Sequence, residues 1–524
     1  MKNFSQRIAA LSPGQLKLLK LELKKEGIDF ARDIKIVEKN IFPPVEPTEE
    51  KEYYPLSSVQ KRLFTLSQAE GTGNIFSVST LRIIRENLDK RKVEEAFQAL
   101  IRRHKSFRTS FAFIKGEPVQ RIHDEVDFAV RYYCPGIETQ STGPAKEHPE
   151  PCTQDPTSVI KNFFRPFDPA QAPLLRVGMI KLAKEKYVLI VDMHHIMSDA
   201  LCKKIIWDEF NRLCNGRPLK ELKLQYKDFA VWCGSEEVKP VLQHQETYWL
   251  KEFQGKIPVI NLPTDYERPV NKQFEGGYRA FKLDGKTTST LKALALNENT
   301  TLFVIMLAVY NVFLSKISRQ EDIVVGIPTA GRHHPGLDDI IGMFVNTLAL
   351  RNYPADEKTF AGFLKQVRQR TLEAFANQDY QFEDLVNQVI KQRDTSRNPI
   401  FDVFFSFRAP GVTQELPVSL SQSDDEESPL IKLDEATSSA ETILSMFDLY
   451  FQGAVIKEEI FLVLVYSTKL FKKETIERFA NYIKEIILTV TGNNQVKLKD
   501  IKISHDLGTA ASTILQDEKE EFGF

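Results

Sequence analysis

At 524 residues the chain exceeds a typical single domain of about 100 to 200 residues, so two or more packed lobes with a large core are expected. With 42% hydrophobic and 27% charged residues, and Lys+Arg 70 against Asp+Glu 71, neither nucleic acid nor an anionic membrane is favoured as a partner. No stretch approaches the roughly 18 consecutive apolar residues of a membrane span, and Cys134, Cys152, Cys202, Cys214 and Cys233 form no CxxC pair, which argues against a zinc site or a disulfide framework.

Residues 1–7 lead into charged amphipathic sequence without the apolar run of a signal peptide, and a reduced, cytoplasmic protein is expected. Residues 11–30 predict an amphipathic helix, capped at Ser12, with Pro13 in its first turn and a stop at Gly27. Pro43, Pro44 and Pro47 mark a semi-extended linker, so 1–52 reads as an N-terminal helix and linker. A capping signal and an apolar face predict a helix over 56–66. A second helix over 89–103 lines up Val93, Phe97, Leu100 and Ile101, and ends in basic residues that suit the helix dipole. The Pro-, Gly- and Ser-rich run 134–155 reads as a surface loop or insertion. Strands over 174–182 and 187–193 then pair as a hairpin.

Helices are expected over 226–232 and 245–253, and the Pro-marked segment 257–269 connects two lobes. The second lobe opens with a strand at 278–283, an apolar helix at 300–315 and a buried strand at 322–328. A turn with Arg332, His333 and His334 follows; Pro335 and Gly336 mark that histidine pair as surface loop. A helix over 359–378, strands at 401–407, 444–451 and 460–466, an acidic excursion at 410–439 and a closing helix at 473–490 complete the chain. Helices and strands alternate through both halves, which predicts α/β lobes. No internal repeat is visible in residue identity.

Residues 192–200 read Asp-Met-His-His-Ile-Met-Ser-Asp-Ala and lie between a β-branched run, 187–191, and a helix whose face is Leu201, Ile205, Trp207, Phe210 and Leu213. Ser198 or Asp199 is positioned as its N-cap. Successive strand residues point to opposite faces, so His194 and His195 are not expected to serve one pocket. Imidazole is a natural acid–base group near neutral pH.

In order along 53–503, seven stretches resemble the motifs of nonribosomal peptide synthetase condensation domains, members of the chloramphenicol-acetyltransferase-like superfamily. Residues 57–66 resemble the first motif, 103–111 the second (RHExLRTxF), and 194–200 the HHxxxDG signature. Residues 226–232, 341–347, 377–383 and 393–402 resemble the remaining four. Residues 58–63 look more like the subclass that takes an L-configured donor, and the two histidines disfavour heterocyclisation.

The resemblance implies two chloramphenicol-acetyltransferase-like α/β lobes in a V-shaped pseudodimer with a central tunnel. The corresponding divisions are 53–225 for the N-terminal lobe, 226–275 for the connection, 276–506 for the C-terminal lobe and 507–524 for a linker. Donor and acceptor would arrive as thioesters on the phosphopantetheine of two carrier domains, beside an adenylation domain. The domain itself, a monomer when isolated, would bind no cofactor or metal.

The site set it implies is His195, His194, Asp199 and Asn346. His195 is the base or amine-positioning group, His194 a packed or turn-stabilising imidazole, and Asp199 a buried partner of Arg332 or Arg62. Asn346 is either a donor to the substrate or its oxyanion, or a turn cap. Ala200, Ser198 and Gly342 are expected along the substrate passage, and Arg62, Arg108 and Arg332 in structural support. The usual glycine of the signature is Ala200 here, implying strain if that position needs positive φ, or a narrower passage if it only needs room. The alternatives are a catalytically silent module that recruits carriers or tailoring proteins, and an acyltransferase using coenzyme A or a free amine.

Overall fold

Two sheets built on one pattern of strand pairing organise the computed structural model, which describes residues 42–68, 77–85, 88–135, 150–152, 156–183, 185–332, 334–408, 444–456 and 458–504. The helix expected at 11–30 and the excursion at 410–439 lie outside the described residues.

The first lobe runs β1 (Tyr54–Pro55), α1 (Ser58–Ser67), β2 (Ser77–Ile84), α2 (Lys90–Arg103), β3 (Thr109–Ile114), β4 (Glu117–Ile122), β5 (Arg131–Pro135), β6 (Glu150–Cys152), α3 (Pro156–Phe163), β7 (Leu175–Ala183), β8 (Lys186–His194) and α4 (Ala200–Cys214). Its main sheet has the order β2-β8-β7-β5-β6, and β1-β4-β3 form a small second sheet. Residues 134–155, expected as loop, contribute β6, which pairs parallel with β5.

The connection carries α5 (Tyr226–Cys233) and α6 (Lys239–Glu252). The second lobe runs β9 (Gly276–Leu283), α7 (Gly285–Asn297), α8 (Leu302–Ser318), β10 (Ile323–Thr329), β11 (Asn346–Asn352), α9 (Phe360–Ala376), α10 (Phe382–Val389), β12 (Val403–Arg408), β13 (Leu449–Ile456), β14 (Glu459–Ser467) and α11 (Lys473–Gly492). Its sheet has the order β11-β10-β12-β13-β14-β9.

In each lobe an outer strand pairs antiparallel with a hairpin, and the hairpin's other strand continues into two parallel neighbours. The first lobe does this with β2, β8, β7, β5 and β6. The second uses β9, β14, β13, β12 and β10. The repeat hidden in residue identity is therefore present in topology.

β8 shows why its sequence is almost continuously apolar. Leu189, Val191 and Met193 face the core made with Phe97 of α2 and Trp207 and Phe210 of α4. Val188 and Ile190 face Ile160 and Phe163 of α3 on the other side. A strand covered on both faces needs apolar residues at both parities. In the second lobe α8 takes the equivalent burden, buried from Val304 to Leu314 against sheet and helices.

The lobes meet through the segment between β10 and β11. It leaves the second lobe, places Ile341 and Met343 in the first lobe's core, and packs Leu337, Ile340 and Phe344 against Tyr226, Phe229 and Trp232 of α5. Tyr226 donates its hydroxyl hydrogen to the Met343 carbonyl at 2.6 Å and accepts from Ser57 Oγ at 2.8 Å. Gly342 makes room for this ring, because a Cβ there would lie 1.9 Å from a Tyr226 ring carbon. Gly342→Ala should therefore overpack the junction and cost about 1–3 kcal/mol; an unchanged midpoint in chemical denaturation would contradict this account.

Candidate active site

The turn after β8 holds both histidines, and its hydrogen bonds give them different work. Residues His195–Met197 form a single 3-10 turn with His194 as its N-cap. His194 is buried, and its Nδ1 accepts from the Ile196 amide at 3.0 Å. Its carbonyl accepts from Ser198 Oγ at 3.1 Å. Burial, with smaller contributions from His195 and Arg176, pushes its pKa down to about 4. His194 is a neutral imidazole that fixes the turn.

His195 is half-buried, and its Nδ1 lies 2.8 Å from the Ser198 carbonyl. A carbonyl only accepts, so Nδ1 carries the proton and the neutral ring keeps its free lone pair at Nε2. The main chain thus selects the tautomer whose Nε2 can take a proton. Gln60 supports the turn from α1: Nε2 donates to the Ile196 carbonyl at 3.2 Å, while Oε1 accepts the Ser57 amide at 3.2 Å.

Asp199 does not touch His195. It is fully buried and caps α4, with Oδ1 accepting the Cys202 amide at 3.1 Å. Its Oδ2 accepts Arg332 Nη2 at 2.9 Å and Nε at 3.3 Å, and the Phe344 amide at 3.4 Å. Arg332 spends its other donors on the carbonyls of Leu337 (2.9 Å), Ile340 (2.6 Å) and Gly342 (3.3 Å), and stacks over Phe344 with its guanidinium carbon 4.2 Å from the ring centre. Of the two arginines expected for Asp199, Arg332 is the partner. Arg62 instead crosses between lobes to Glu383 at 2.6 Å, because α1 faces α10 and not the start of α4.

Several other expectations change. Asn346 is no substrate donor: Nδ2 donates to the carbonyls of Gln378 and Tyr380, both at 2.9 Å, and Oδ1 accepts the amides of Thr347 and Phe382. All its capacity is consumed in tying β11 to the approach of α10. Gly342 is packed under Tyr226 and does not line a passage. Ser198 is buried and holds the turn from within. Ala200 begins α4, exposed and without positive φ, so no backbone strain accompanies the missing glycine. Only the extra methyl remains as a consequence.

Arg108 stays structural, donating to the carbonyls of Ile101, His123 and Asp124. His333 lies outside the described residues. His334 is buried and not a surface residue, because its segment turns inward onto α5: the ring sits 4.5 Å from that of Trp232, and Nε2 lies 3.2 Å from Asp379 Oδ1. Gln60, Tyr226 and Phe344 were missed as supports of the site. The Ser57-Gln60 capping pattern was legible, but its second use across the fold was not.

Two cavities adjoin these elements. One, of about 640 Å³, is lined by Leu201 and Ile205 of α4, the helix the turn runs into, and by Ala330 and Arg332. The other, of about 460 Å³, is lined by Ser58 and Arg62 of α1, which packs on the turn, and by Glu383 of α10. Among the described residues no group of three or more His, Cys, Asp or Glu side chains stands together as a metal centre.

A family model described as "Condensation domain" matches residues 50–511. Tyrocidine synthase 3 from Brevibacillus parabrevis is 41% identical over 465 residues, covering 89% of this chain and 7% of that protein. Gramicidin S synthase 2 from Aneurinibacillus migulanus is 40% identical over 473 residues, covering 90% of this chain and 10% of that protein. The chain therefore spans a tenth or less of these relatives' length. The X-domain from teicoplanin biosynthesis superposes with a TM-score of 0.74 at 20% identity, over 88% of this chain and 100% of that one. A holo four-domain nonribosomal peptide synthetase bound to AMP and glycine gives 0.72 at 20% identity, over 90% of this chain and 35% of that one. These superpositions agree on the fold, a mixed α/β arrangement of the chloramphenicol-acetyltransferase type.

Asp199→Ala would leave Arg332 buried without its counter-charge, a loss of about 3–5 kcal/mol. A lowered melting temperature is expected, and adding Arg332→Met should cost less than the two single losses combined. Full stability with lost activity would instead assign Asp199 to the chemistry. His194 gives a second test. Its imidazole stays neutral in the fold down to about pH 4, whereas in the unfolded chain it protonates near about pH 6.5. Between these values the unfolded state binds more protons, so stability falls as the pH drops, by up to about 3 kcal/mol. His194→Asn keeps an acceptor for the Ile196 amide without titrating, and should flatten that part of the pH–stability curve; identical curves would refute the assignment.

Proposed function

Because the chain belongs to the condensation-domain family of nonribosomal peptide synthetases, we propose that it joins two carrier-bound substrates through an amide bond. The acceptor is an aminoacyl thioester and the donor an acyl or peptidyl thioester, each on the phosphopantetheine arm of a carrier domain. The acceptor nitrogen attacks the donor carbonyl carbon. The tetrahedral oxyanion collapses, the carbon–sulfur bond breaks, and the donor arm leaves as a thiol carrying the proton the amine has lost.

Aminolysis of a thioester is downhill, so the protein must orient the pair and manage one proton. An α-amine titrates near about 7.7 to 8.0, which leaves a fraction neutral without help. His195 Nε2 would accept a hydrogen from the attacking amine, holding its lone pair toward the carbonyl and taking the proton as the bond forms. The observation that carries this reading is the Ser198 carbonyl on Nδ1, which leaves Nε2 as the acceptor. The cavities beside α4 and α1 are the proposed approaches for the two arms, and together would make a tunnel between V-shaped lobes. We further propose an L-configured donor, neighbouring adenylation and carrier domains as partners, and action as a monomeric unit. The free thiols of Cys202, Cys214 and Cys233 fit a reducing cytoplasm.

His195→Ala should lower the rate of amide formation by about 10²-fold or more, read by mass spectrometry of the dipeptidyl thioester formed from loaded donor and acceptor carriers. His195→Gln, which offers an acceptor but no useful base, separates the roles: recovery of most of the rate would assign positioning, and none would assign proton transfer. A wild-type rate in His195→Ala would remove both.

A further inference from the structure

The cavity between α1 and α10 carries charge that its own walls do not balance. Its lining includes the cations Lys61, Arg62, Lys272 and Arg393 and the carboxylates Glu383 and Asp384, so cations outnumber anions. The carboxylates are already engaged: Glu383 holds Arg62 at 2.6 Å, and Asp384 accepts from Ser58 Oγ at 3.3 Å. Among the described residues Lys272 has no comparable counter-ion. Its Nζ donates to the Met446 carbonyl at 2.7 Å and lies 5.9 Å from the Phe447 ring centre. Among the described residues it forms no ion pair within 4.0 Å. Burial pushes this ammonium down to about 8, so withdrawal from water outweighs the attraction of the more distant Asp448 and Asp402. Among the described residues Arg393, at the same cavity, donates to the neutral amide oxygen of Asn387, at 3.2 Å, and attracts Glu383 without an ion pair within 4.0 Å.

A half-buried ammonium with one neutral acceptor retains two hydrogens for a further partner. The backbone holds it there, since the Lys272 amide donates to the Thr395 carbonyl at 2.9 Å and ties its segment to the residues before β12. A carboxylate or phosphate ester entering the cavity would supply the missing counter-charge in a partly desolvated setting, where charge-assisted hydrogen bonds are strong. We propose that Lys272, assisted by Arg393, forms a subsite for an anionic oxygen group on the substrate that enters between α1 and α10. This inference rests on the carrier-bound amide chemistry proposed above. The anion is either an acidic side chain of the acyl group or the phosphate ester of the arm, and the same chemistry recognises both.

The test compares four soluble thioesters with the full chain: aspartyl and asparaginyl groups, each on pantetheine and on phosphopantetheine. The wild type should favour a charged member over its neutral counterpart by about tenfold in KM with little change in kcat, the scale of one charge-assisted contact. Lys272→Gln keeps a donor for the Met446 carbonyl and should abolish that preference, and Lys272→Arg should restore it. Should Lys272→Gln fail to fold, Arg393→Gln, on the exposed side of the cavity, should still weaken the preference. A preference for aspartyl identifies the side-chain carboxylate as the anion, and one for phosphopantetheine identifies the arm. No preference in the wild type, or one that survives Lys272→Gln with the protein folded, overturns the subsite. Failure to condense even the neutral asparaginyl pantetheine would count against the proposed reaction itself.

Discussion

The Asp199–Arg332 pair fastens together everything the site needs. Asp199 is the N-cap of α4, so it fixes where the helix begins and where the turn carrying His195 must end. Arg332 belongs to the segment that crosses from the second lobe, and its donors gather three carbonyls of that segment around the carboxylate. Burying two charges is costly unless each hydrogen-bonding position is answered. Here the carboxylate receives the guanidinium, two amides and the Cys202 thiol, and the guanidinium also meets the face of Phe344. The pair therefore contributes placement more than net stability. It makes one loop of the second lobe a part of the first lobe's active turn.

That placement explains why adjacent histidines diverge. β8 alternates between two apolar layers up to Met193, and the chain leaves strand geometry immediately after His194. His194 stays in the packed interior, while the 3-10 turn carries His195 to a less buried position. Ser198 serves both histidines, through its hydroxyl to the His194 main-chain carbonyl and its own carbonyl to the His195 ring at Nδ1. A substitution at Ser198 that merely displaced its backbone would therefore alter tautomer selection without touching the imidazole.

Local order was legible in the sequence wherever one short pattern decided it. The continuous apolar run of β8, the helix after the capping signal at Ser57 and the helix over 89–103 form where their residue types place them. α4, by contrast, is turned by about one residue from its expected face: it buries Cys202, Ile206, Trp207 and Phe210 and leaves Leu201 and Ile205 half-buried at a cavity. The Asp199 ion pair was legible as chemistry, but its partner was not, since Arg62 and Arg332 offer the same guanidinium and only the packing of α1 against α10 separates them. Gly342 and His334 were misread, and Asn346 was left between two roles, for one shared reason. Each belongs to, or borders, the crossing segment, where turn-like sequence is conscripted into a junction between lobes. Turn chemistry reads as surface until a second lobe covers it.

The paired topology locates the chemistry more narrowly than the histidine motif does. The strand that corresponds to β8 is β14, and its last residue, Ser467, donates its amide to the Asp448 carbonyl at 3.1 Å, as His194 donates to that of Leu174 at 3.1 Å. The next residue, Thr468, occupies the place of His195 and hydrogen-bonds the Glu275 carbonyl through both amide and hydroxyl. The helix that follows, α11, takes its terminal acceptor from Asp265, far back in the chain, and not from a residue of the turn itself. A strand end that feeds a helix is thus common to both lobes and confers no reactivity. What the first lobe adds is a turn short enough to cap its own helix, a carbonyl placed to accept from Nδ1–H and so keep the proton there, and a segment lent by the other lobe to hold the cap. The duplicated scaffold supplies two equivalent positions, and of the two the one held by the other lobe's segment carries a histidine whose Nε2 is left as an acceptor.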